Sequence, residues 1–410
     1  MANVILSDVI DIISGGTPKT SESKYWSGGN IDWLSINDFN NGNRFVYSSE
    51  KKITELALKE SNIKLLNKGD VIISARGTVG VLAQIGKPMC FNQSCFGLRG
   101  KKELIDNDFL YYVLKNYIHN LKKKSQGSVF DTINIKSFDL MEIDIPNYAS
   151  QCDIASVLSV LDQKIELNNR INAELEAMAK TLYDYWFVQF DFPNEDGKPY
   201  KSSGGKMVYN STLKREIPEG WETNTIAQVF STSLGGTPST HNKDYWHNAD
   251  IHWISSAETT FFPIISSEQK ITLKGLEHSA ACLLPKGTVV ISIVRYIRPS
   301  ILGVDAATNQ SVVGIKETDI FKSSFIYPYL CGEVPKFMAL RTGAQQPHIN
   351  KKVIDDNIII IPINSVLELY YKIANPIFDK IMTVAFENKH LIELRDFLLP
   401  MLMNGQVTVK

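Results

Sequence analysis

The stretch "GGTPKTSESKYW" at residues 15–26 returns as "GGTPSTHNKDYW" at residues 235–246. In both copies Tyr-Trp follows Gly-Gly-Thr-Pro at the same distance. Gly-Gly-Thr-Pro predicts a turn, because glycine accepts a positive φ and proline fixes φ near about −65°. We interpret the two aromatic residues as buried side chains that hold the turn in place, with direct contact to a ligand as the alternative.

The repeat extends far beyond this turn. Further matching segments follow in the same order: Ile31-Asp32-Trp33 and Ile251-His252-Trp253, "KGDVIIS" from Lys68 and "KGTVVIS" from Lys286, "NQSCFG" from Asn92 and "NQSVVG" from Asn309, Ile133-Asn134 and Ile349-Asn350, and Pro146 and Pro362. The distance between the copies falls only from 220 residues at the first glycine to 216 at the last proline. Surface loops tolerate such small insertions and deletions, so we infer that a whole domain is duplicated.

Each copy combines strand and helix patterns. The β-branched runs "DVIIS" and "TVVIS" follow Lys-Gly and are typical of buried strands. We therefore predict a mixed α/β fold, with two duplicated globular domains joined by two long helices. The predicted boundaries are residues 1–146 for the first domain, 147–187 for a central long helix, 188–220 for a linker, 221–362 for the second domain and 363–410 for a C-terminal long helix.

A change of period after each domain predicts the two long helices. Apolar residues there alternate in steps of four and three, which is the heptad pattern of a coiled coil. The middle of the predicted helix-helix seam consists of Leu161, Ile165, Asn168, Asn172, Leu175, Ile381, Val384, Asn388 and Leu391. A buried asparagine at such a position fixes the register if it finds a hydrogen-bond partner; a position facing water or another protein is the alternative.

Neither long helix can bury its seam alone, so we expect the two to pair with each other. An antiparallel pair in a tandem duplication has a pseudo-two-fold axis, with one globular domain at each end of the rod. Ser150-x-x-Asp153 and Ser365-x-x-Glu368 predict the N-terminal caps, and Pro400 predicts the end of the second helix.

The composition argues against several classes of protein. A formal net charge of −1 argues against a strongly basic, self-sufficient nucleic-acid binder. The sequence has no run of 18 apolar residues and its start lacks the pattern of a signal peptide, so we expect a soluble, cytoplasmic protein that does not use a membrane. The five cysteines include no Cys-x-x-Cys pair, so neither a zinc ribbon nor a disulfide framework is indicated.

No catalytic set is visible, and we expect neither a cofactor nor a metal. The Asn-Pro-Pro-aromatic signature of adenine methyltransferases and the phosphate-binding Gly-x(4)-Gly-Lys-Ser/Thr loop are both absent. In "PNEDGK", Asp196 and Lys198 mimic the acid-x-lysine pair of nucleases, but the polar setting with glycine favours a turn. His241, His247 and His252 suggest a metal site, which the first copy argues against because it has serine or aspartate there.

The combination of motifs resembles the DNA-specificity subunits of type I restriction-modification enzymes. In that family each target-recognition domain opens on Gly-Gly-Thr-Pro, followed by Tyr-Trp and Ile-x-Trp, as at Gly15 and Gly235. "LYDYWFVQFDFP" from Leu182, "IPEGWE" from Ile217 and "LRDFLLPMLMNGQV" from Leu394 are similar to the central and C-terminal conserved regions of the family. The second copy departs at "VRYIRPSILG", where the first has the family-like "ARGTVG".

The resemblance implies a non-catalytic subunit of a DNA methyltransferase and endonuclease complex. Each globular domain would read one half of a bipartite, asymmetric site on double-stranded DNA. The long helices would set the spacing between the half-sites, one to one and a half turns at about 34–36 Å per turn. They would also dock two methyltransferase subunits, with restriction subunits outside these. The methyltransferase subunits would supply much of the phosphate contact, which fits the weak net charge.

Two matching segments and one loop carry the candidate DNA contacts. Lysine binds phosphate and glutamine can read adenine edges, so "KKKSQGS" in the first copy predicts a DNA-binding loop. The full set of candidate DNA-binding residues is Arg76, Lys122, Lys123, Lys124, Gln126, Ser128, Arg295, Arg298, Arg341, Gln345, Gln346 and His348. For each residue singly, a solvated loop position is the alternative.

Other functions remain open on the sequence alone. A self-contained nuclease or methyltransferase would need the motifs that are missing. An interaction scaffold, with two globular heads on a coiled rod, would have no role on DNA. The specificity subunit of a related methyltransferase-nuclease system is a further alternative.

Overall fold

The chain divides into two compact units that share the long helices. The structure is a computed structural model that describes residues 1–124, 132–343, 345 and 347–409, with the backbone alone for residues 122–124. Unit 1 comprises Met1–Leu167 and Asn388–Lys410, and unit 2 comprises Asn168–Glu387. Unit 1 is therefore built from both ends of the chain, and unit 2 from its middle.

Unit 1 contains a five-stranded sheet, a four-stranded sheet and a separate strand pair. Its elements are β1 (Ala2–Ile5), α1 (Leu6–Val9), β2 (Ile10–Ser14), β3 (Ile31–Leu34), α2 (Ile36–Phe39), β4 (Phe45–Val46), β5 (Lys51–Ile53), α3 (Glu55–Glu60), β6 (Leu65–Leu66), β7 (Val71–Ser74), β8 (Leu82–Ile85), β9 (Met89–Phe91), β10 (Cys95–Gly100), α4 (Asn107–Lys124), α5 (Ile135–Phe138), β11 (Glu142–Ile145) and the start of α6 (Tyr148–Tyr183). The sheets have the orders β2-β10-β7-β8-β4 and β5-β3-β9-β6, and β1 pairs with β11.

Unit 2 repeats the two sheets in the same order, except that its first sheet lacks a counterpart of β4 and has four strands. After α6 its elements are a π-helical turn (Asp184–Val188), β12 (Met207–Asn210), β13 (Arg215–Pro218), β14 (Glu222–Thr225), α7 (Ile226–Val229), β15 (Thr232–Leu234), β16 (Ile251–Ile254), β17 (Gln269–Ile271), α8 (Leu273–Glu277), β18 (Leu283–Leu284), β19 (Val289–Ser292), β20 (Pro299–Ile301), β21 (Ala306–Thr308), β22 (Val312–Ile315), α9 (Ser323–Ala339), α10 (Lys351–Asp355), β23 (Ile358–Ile361) and α11 (Asn364–Met403), whose end belongs to unit 1. The sheets are β15-β22-β19-β20 and β17-β16-β21-β18, with β14 paired to β23 and β12 to β13.

The strands after Lys-Gly lie in the middle layer of each unit. Val71 and Ile73 pack in the core cluster that contains helix α4, while Ile72 packs in the cluster between the two sheets. Both faces of the strand are therefore covered, which is why the sequence reads as an uninterrupted apolar run. In unit 2, Val289 and Val290 divide between two clusters in the same way. The predicted mixed α/β fold with two repeated domains is confirmed.

The long helix α11 continues past the proline that was predicted to end it. It runs to Met403, because Pro400 removes only its own N–H donor while Leu399, Leu402 and Met403 are buried in the core of unit 1. The chain leaves the helix at Gly405, whose φ of 68° is left-handed and whose N–H donates to the carbonyl of Leu402 at 3.2 Å.

The predicted capping boxes of the long helices are also wrong. Helix α6 begins at Tyr148, two residues before the expected serine, and the N–H of Ser150 donates to Oδ1 of Asn147 at 2.9 Å. Helix α11 begins at Asn364, before Ser365. An asparagine just ahead of α6 supplies the acceptor that was expected from serine.

In unit 1 the segments of α6 and α11 run antiparallel. Nη1 of Arg395 donates to Oδ1 of Asp162 at 2.8 Å. Nearer the middle of the helices, Nδ2 of Asn388 donates to the carbonyl of Ile165 at 3.5 Å. Residue numbers thus rise along one helix as they fall along the other.

In unit 2 the two helices are also antiparallel. Nδ2 of Asn168 donates to Oε2 of Glu387 at 3.0 Å, and Nδ2 of Asn172 donates to the carbonyl of Ile381 at 3.3 Å. The asparagine amides therefore bond across the seam. Among the predicted seam residues, Ile165, Asn168, Ile381, Val384 and Asn388 are buried and Leu161, Asn172, Leu175 and Leu391 are half-buried.

Candidate nucleic-acid interface

The Gly-Gly-Thr-Pro turn is held by two tryptophans in unit 1. Nε1 of Trp26 donates to the carbonyl of Lys19 at 3.2 Å, and Nε1 of Trp33 donates to that of Gly16 at 2.9 Å. The two rings meet edge to face, with centroids 5.3 Å apart. Trp26 is half-buried rather than buried. A Cβ on Gly15 would stand 2.0 Å from the carbonyl oxygen of Asn92, so only glycine fits there.

Unit 2 builds the same turn from the corresponding residues. Nε1 of Trp246 donates to the carbonyl of Ser239 at 3.1 Å, and Nε1 of Trp253 donates to that of Gly236 at 3.0 Å. The ring centroids are 5.2 Å apart. A Cβ on Gly235 would lie 2.1 Å from the carbonyl oxygen of Thr308. The turn and its aromatic residues therefore have a structural role in both copies.

In unit 1 the repeated motifs are joined by backbone hydrogen bonds into one arrangement, here called the first frame (residues 15–17, 75, 91–94 and 133–134). The N–H of Gly16 donates to the carbonyl of Phe91 at 3.0 Å. The N–H of Ala75 donates to Ser94 at 2.8 Å, and the N–H of Ile133 donates to Ala75 at 2.9 Å. Motifs that are far apart in sequence thus lie side by side.

The second frame (residues 235–237, 293, 308–311 and 349–350) has the same bonds. The N–H of Gly236 donates to the carbonyl of Thr308 at 2.8 Å. The N–H of Ile293 donates to Ser311, and the N–H of Ile349 donates to Ile293, each at 2.9 Å. The motifs that return in the sequence are therefore the parts that build one backbone arrangement twice.

A loop projects from each frame, and each loop is fixed by the serine that precedes it. In the β7–β8 loop (residues 75–81), Oγ of Ser74 donates to the carbonyl of Thr78 and accepts from the N–H of Val81 at 2.8 Å. In the β19–β20 loop (residues 293–298), Oγ of Ser292 donates to the carbonyl of Tyr296 at 2.6 Å and accepts from the N–H of Arg298 at 3.1 Å.

These hydrogen bonds establish which residues of the two loops correspond, which sequence comparison left open. Thr78 corresponds to Tyr296, and Gly77 corresponds to Arg295, both left-handed with φ of 76° and 56°. Arg298 corresponds to Val81, so the second loop is one residue shorter. This deletion accounts for the change in distance between the copies from 218 residues at "KG" to 217 at "NQS".

Candidate residues of the first copy lie partly within the described chain. Arg76 is exposed on the β7–β8 loop. The prediction that Lys122, Lys123 and Lys124 lie in a loop is wrong: they are the last residues of helix α4. Lysine is a good helix former and is favoured at a helix C-terminus by the macrodipole. Gln126 and Ser128 lie outside the described residues.

In the second copy most candidates surround the β19–β20 loop. Arg295 and Arg298 are exposed on it, and Gln345 and His348 are exposed on the neighbouring segment, whose backbone bridges Val294. Gln346 lies outside the described residues.

Arg341 contacts this loop directly. Its Nη1 donates to the carbonyl of Arg295 at 2.6 Å, and its Nε donates to the carbonyl of Met338 at 3.0 Å. The guanidinium thus holds the backbone of the loop, and part of its donor capacity is used there.

Sequence reasoning missed a pair of exposed lysines beside the frames. Lys136 and Lys352 each follow Ile-Asn, 216 residues apart, and both side chains are exposed. Lys136 lines an open cleft of about 600 Å³ together with Gln93 and Asn134 of the first frame. Extending the sequence repeat by two residues would have found both lysines.

A buried charge cluster in unit 1 joins the globular part to the long helices. Nη2 of Arg44 lies 2.7 Å from Oδ1 of Asp108, and its Nη1 donates to the hydroxyl of Tyr112 at 3.0 Å. That hydroxyl donates to Oδ2 of Asp162 on α6 at 2.6 Å, and Asp162 also accepts from Arg395 on α11. The cluster depends on every member, because removal of one partner leaves the other charge buried without compensation.

Lys115 lies beside this cluster. Burial, together with the nearby guanidinium of Arg395, lowers the pKa of Lys115 to about 8. Burial disfavours the charged form of an amine, so Lys115 gives this junction a group that titrates near pH 8.

Unit 2 builds the corresponding junction from aromatic side chains. Tyr327 stacks on Phe262, with ring centroids 4.2 Å apart, and lies 6.1 Å from Phe378. At a distance of 216 residues, Phe378 takes the place of Asp162, and Ala179 takes that of Arg395. Tyr327, Phe378 and Ala179 line a cavity of about 300 Å³ in unit 2. The two units therefore share a backbone plan but not the chemistry of this junction.

The described residues bring together no cluster of metal-ligating side chains. Nowhere in residues 1–124, 132–343 or 347–409 do three or more His, Cys, Asp or Glu side chains lie close enough to hold a metal ion. "PNEDGK" forms a turn, in which the N–H groups of Asp196 and Lys198 donate to Oδ1 of Asn194 at 3.0 and 2.9 Å. None of the described helices is both long enough and apolar enough to cross a membrane.

Comparison with known proteins agrees with the duplicated fold. The chain is 28% identical to the type I restriction enzyme MjaIX specificity subunit of Methanocaldococcus jannaschii, over 99% of this chain and 93% of that protein. It is 24% identical to the type I restriction enzyme HindI specificity subunit of Haemophilus influenzae, over 69% of this chain and 73% of the relative.

A solved structure shares the fold. The S subunit of a type I restriction-modification system from M. genitalium superimposes with a TM-score of 0.56 at 15% identity, over 98% of this chain and 95% of that one. The family described as type I restriction modification DNA specificity domain matches residues 1–177 and 218–394. Because the match takes in both repeats and most of the chain, the protein belongs to the specificity-subunit family of type I restriction-modification systems.

Proposed function

We propose that each repeat reads one half of a bipartite, asymmetric DNA site, and that α6 and α11 set the spacing of the halves. The protein itself performs no chemistry in this proposal. It selects the DNA on which methyltransferase and restriction subunits act.

The observation that carries the proposal is the pairing of constant frames with different loops. Both frames use the same backbone hydrogen bonds, whereas the loops that they support differ in side chains and in length. A constant scaffold with variable loops is how proteins vary recognition without changing fold. Two different loop sets predict two different half-sites, hence an asymmetric site.

The long helices offer surface for partner subunits. Apolar side chains are exposed on both: Val160 and Met178 on α6 at 60% and 56%, and Ile373 and Phe397 on α11 at 48% and 64%. Exposed apolar side chains on a helix favour docking of another protein. We assign this surface to methyltransferase subunits, with restriction subunits added outside them.

The weak charge of the chain is consistent with such a complex. With a net charge of −1, the chain alone has little long-range attraction for phosphate. Partner subunits that surround the duplex would supply most phosphate contacts. We therefore expect tight DNA binding only from the assembled complex.

Two experiments test the proposal. In a gel shift with and without the methyltransferase subunits, sequence-selective binding should require the partner, whereas cleavage or methyl transfer by the chain alone would revive the enzyme alternative. In a domain swap, replacing residues 1–146 by the first domain of another family member should change one half-site. A change in both half-sites would contradict separate reading by the two repeats.

A further inference from the structure

An exposed aromatic side chain stands on the β19–β20 loop. Tyr296 is 64% exposed, whereas the next residue, Ile297, is 2% exposed and belongs to the core of unit 2. The loop therefore anchors itself through Ile297 and presents the ring of Tyr296 to the outside. An exposed aromatic ring gains nothing for the fold, but it offers a large, rigid contact surface at low cost in side-chain entropy.

The backbone beneath this ring is held from two sides. Ser292 bonds to the carbonyl of Tyr296 at 2.6 Å from within the hairpin. On the other side, Arg341 bonds to the carbonyl of Arg295 at 2.6 Å, and the N–H of Arg295 donates to Pro347 at 2.8 Å. A side chain on a backbone fixed in this way is preorganised for contact with a partner.

Thr78 is the residue of unit 1 that corresponds to Tyr296, and comparing the two separates shared backbone geometry from differing side chains. Thr78 has the same bond from its serine, and its predecessor Gly77 has the same left-handed conformation as Arg295. The shared geometry belongs to the frame. Unit 1 has Thr78 where unit 2 has Tyr296, and Gly77 where unit 2 has Arg295, so these two positions distinguish the repeats.

Arg298 limits which parts of the Tyr296 ring can contact DNA. Its guanidinium carbon lies 5.1 Å from the ring centroid of Tyr296, over one face. A ring that inserts between two base pairs needs both faces free, and here one face has a cation against it. The remaining face and edge can meet the edge of a base. Among base edges in the major groove, the 5-methyl group of thymine is the apolar feature.

We propose that Tyr296 is a specificity-determining residue that contacts the 5-methyl group of a thymine in the second half-site, while Arg295 and Arg298 bind the flanking phosphates. This inference rests on the proposed function. Loss of one methyl contact should weaken binding about fourfold, since burying one methylene-sized group contributes about 0.8 kcal/mol.

The test compares thymine with deoxyuridine, which lacks that methyl group. The assembled complex of the chain with its methyltransferase subunits first selects its bipartite site from a random duplex library. Each thymine of the half-site read by residues 221–362 is then replaced by deoxyuridine. One replacement should weaken binding by the wild-type complex about fourfold. Tyr296→Ala should bind the thymine site about that much more weakly and show no further loss with deoxyuridine, whereas Tyr296→Phe should behave as wild type.

Tyr209 supplies the matched control. It is also 64% exposed, but it lies in the β12–β13 hairpin. Tyr209→Ala should keep the wild-type response to deoxyuridine. An equal response in Tyr296→Ala and wild type, or no response at any thymine of that half-site, would overturn the assignment of Tyr296. If the library yields no bipartite site at all, the proposed function itself has failed.

Discussion

Gly15 and Gly235 each lie so close to a neighbouring backbone segment that no side chain fits, which explains why both copies of the motif have glycine here. Each is needed because a Cβ would collide with a backbone carbonyl oxygen, that of Asn92 at 2.0 Å in unit 1 and that of Thr308 at 2.1 Å in unit 2. We expect Gly235→Ala to lower the free energy of unfolding by about 2–4 kcal/mol, because two backbone segments must separate. Urea unfolding of the purified chain measures this loss.

Gly332 provides the control for that substitution. It lies inside helix α9, and a Cβ there would meet no atom within 4 Å. Gly332→Ala should therefore raise stability by about 0.5–1 kcal/mol, as alanine does in a helix. A similar loss in both variants would mean that the close approach at Gly235 has no special cost.

Lys115 gives a pH-dependent prediction. Its pKa is lowered to about 8 in the folded protein, so between about pH 8 and pH 10 the unfolded chain binds more protons and stability should rise with pH. Lys115→Met removes this titration. The variant should be more stable than wild type by about 3 kcal/mol at pH 7, and the difference should shrink toward pH 10. A difference that stays constant over this range would contradict the lowered pKa.

At the scale of elements, the buried pair of Arg395 and Asp162 joins α11 to α6. Arg395→Met leaves the carboxylate of Asp162 buried without its cationic partner, which should cost about 3–5 kcal/mol. Lys180→Met removes an exposed pair with Asp184 and should cost less than about 0.5 kcal/mol. Thermal and urea unfolding of both variants measure the contrast. Equal losses would show that the buried cluster does not fix the junction.

The pairing of the long helices predicts an effect on site spacing. One heptad inserted after Asn172 and another after Asn388 keep the seam in register and lengthen each helix by about 10 Å. At about 3.4 Å per base pair the preferred spacer should grow by up to about three base pairs, with both half-sites retained. Sequencing the methylated sites of the lengthened complex checks this.

Two-residue insertions at the same places serve as the control. They rotate the following seam by about 200°, at about 3.6 residues per turn, and expose Leu175. That protein should lose folding or assembly. An unchanged spacer in the active heptad variant would assign the spacing to the partner subunits instead.

At the scale of the whole molecule, the repeat made most of the fold predictable. Two copies of one pattern indicate two copies of one domain. The apolar run "DVIIS" predicted a buried strand, and in the structure both faces of that strand are covered. The heptad steps similarly predicted long helices, since the period of apolar residues follows directly from helix geometry. Their ends were less predictable: Pro400 stays inside α11 because burial beyond it outweighs the lost hydrogen bond.

The candidate interface was harder to predict, because the repeat marks the scaffold and not the loops that differ between the copies. The frames repeat in sequence, so sequence comparison finds them, but they serve to hold backbone. The loops that differ between copies have no repeat to reveal them, and Tyr296 passed unnoticed between Arg295 and Arg298. Its significance depends on exposure and on a hydrogen bond from Ser292, and local sequence fixes neither.

The division of the chain predicts how a truncated protein behaves. A chain ending at Glu387 retains all of unit 2 but lacks Leu399, Leu402 and Met403 from the core of unit 1. Limited proteolysis of that chain should protect residues 168–387 and degrade residues 1–167. Equal resistance of both parts would show that unit 1 can complete its core without the end of α11.

This arrangement has a consequence during synthesis on the ribosome. Residues 1–167 emerge first, yet their unit must wait for residues 388–410 before its core can close. The unit that is begun first is therefore finished last, and the intervening unit matures before it. A chain released early would carry one sound domain and one with an open core, a ready target for proteases. Synthesis as far as Met403 thus becomes a condition for having both units folded.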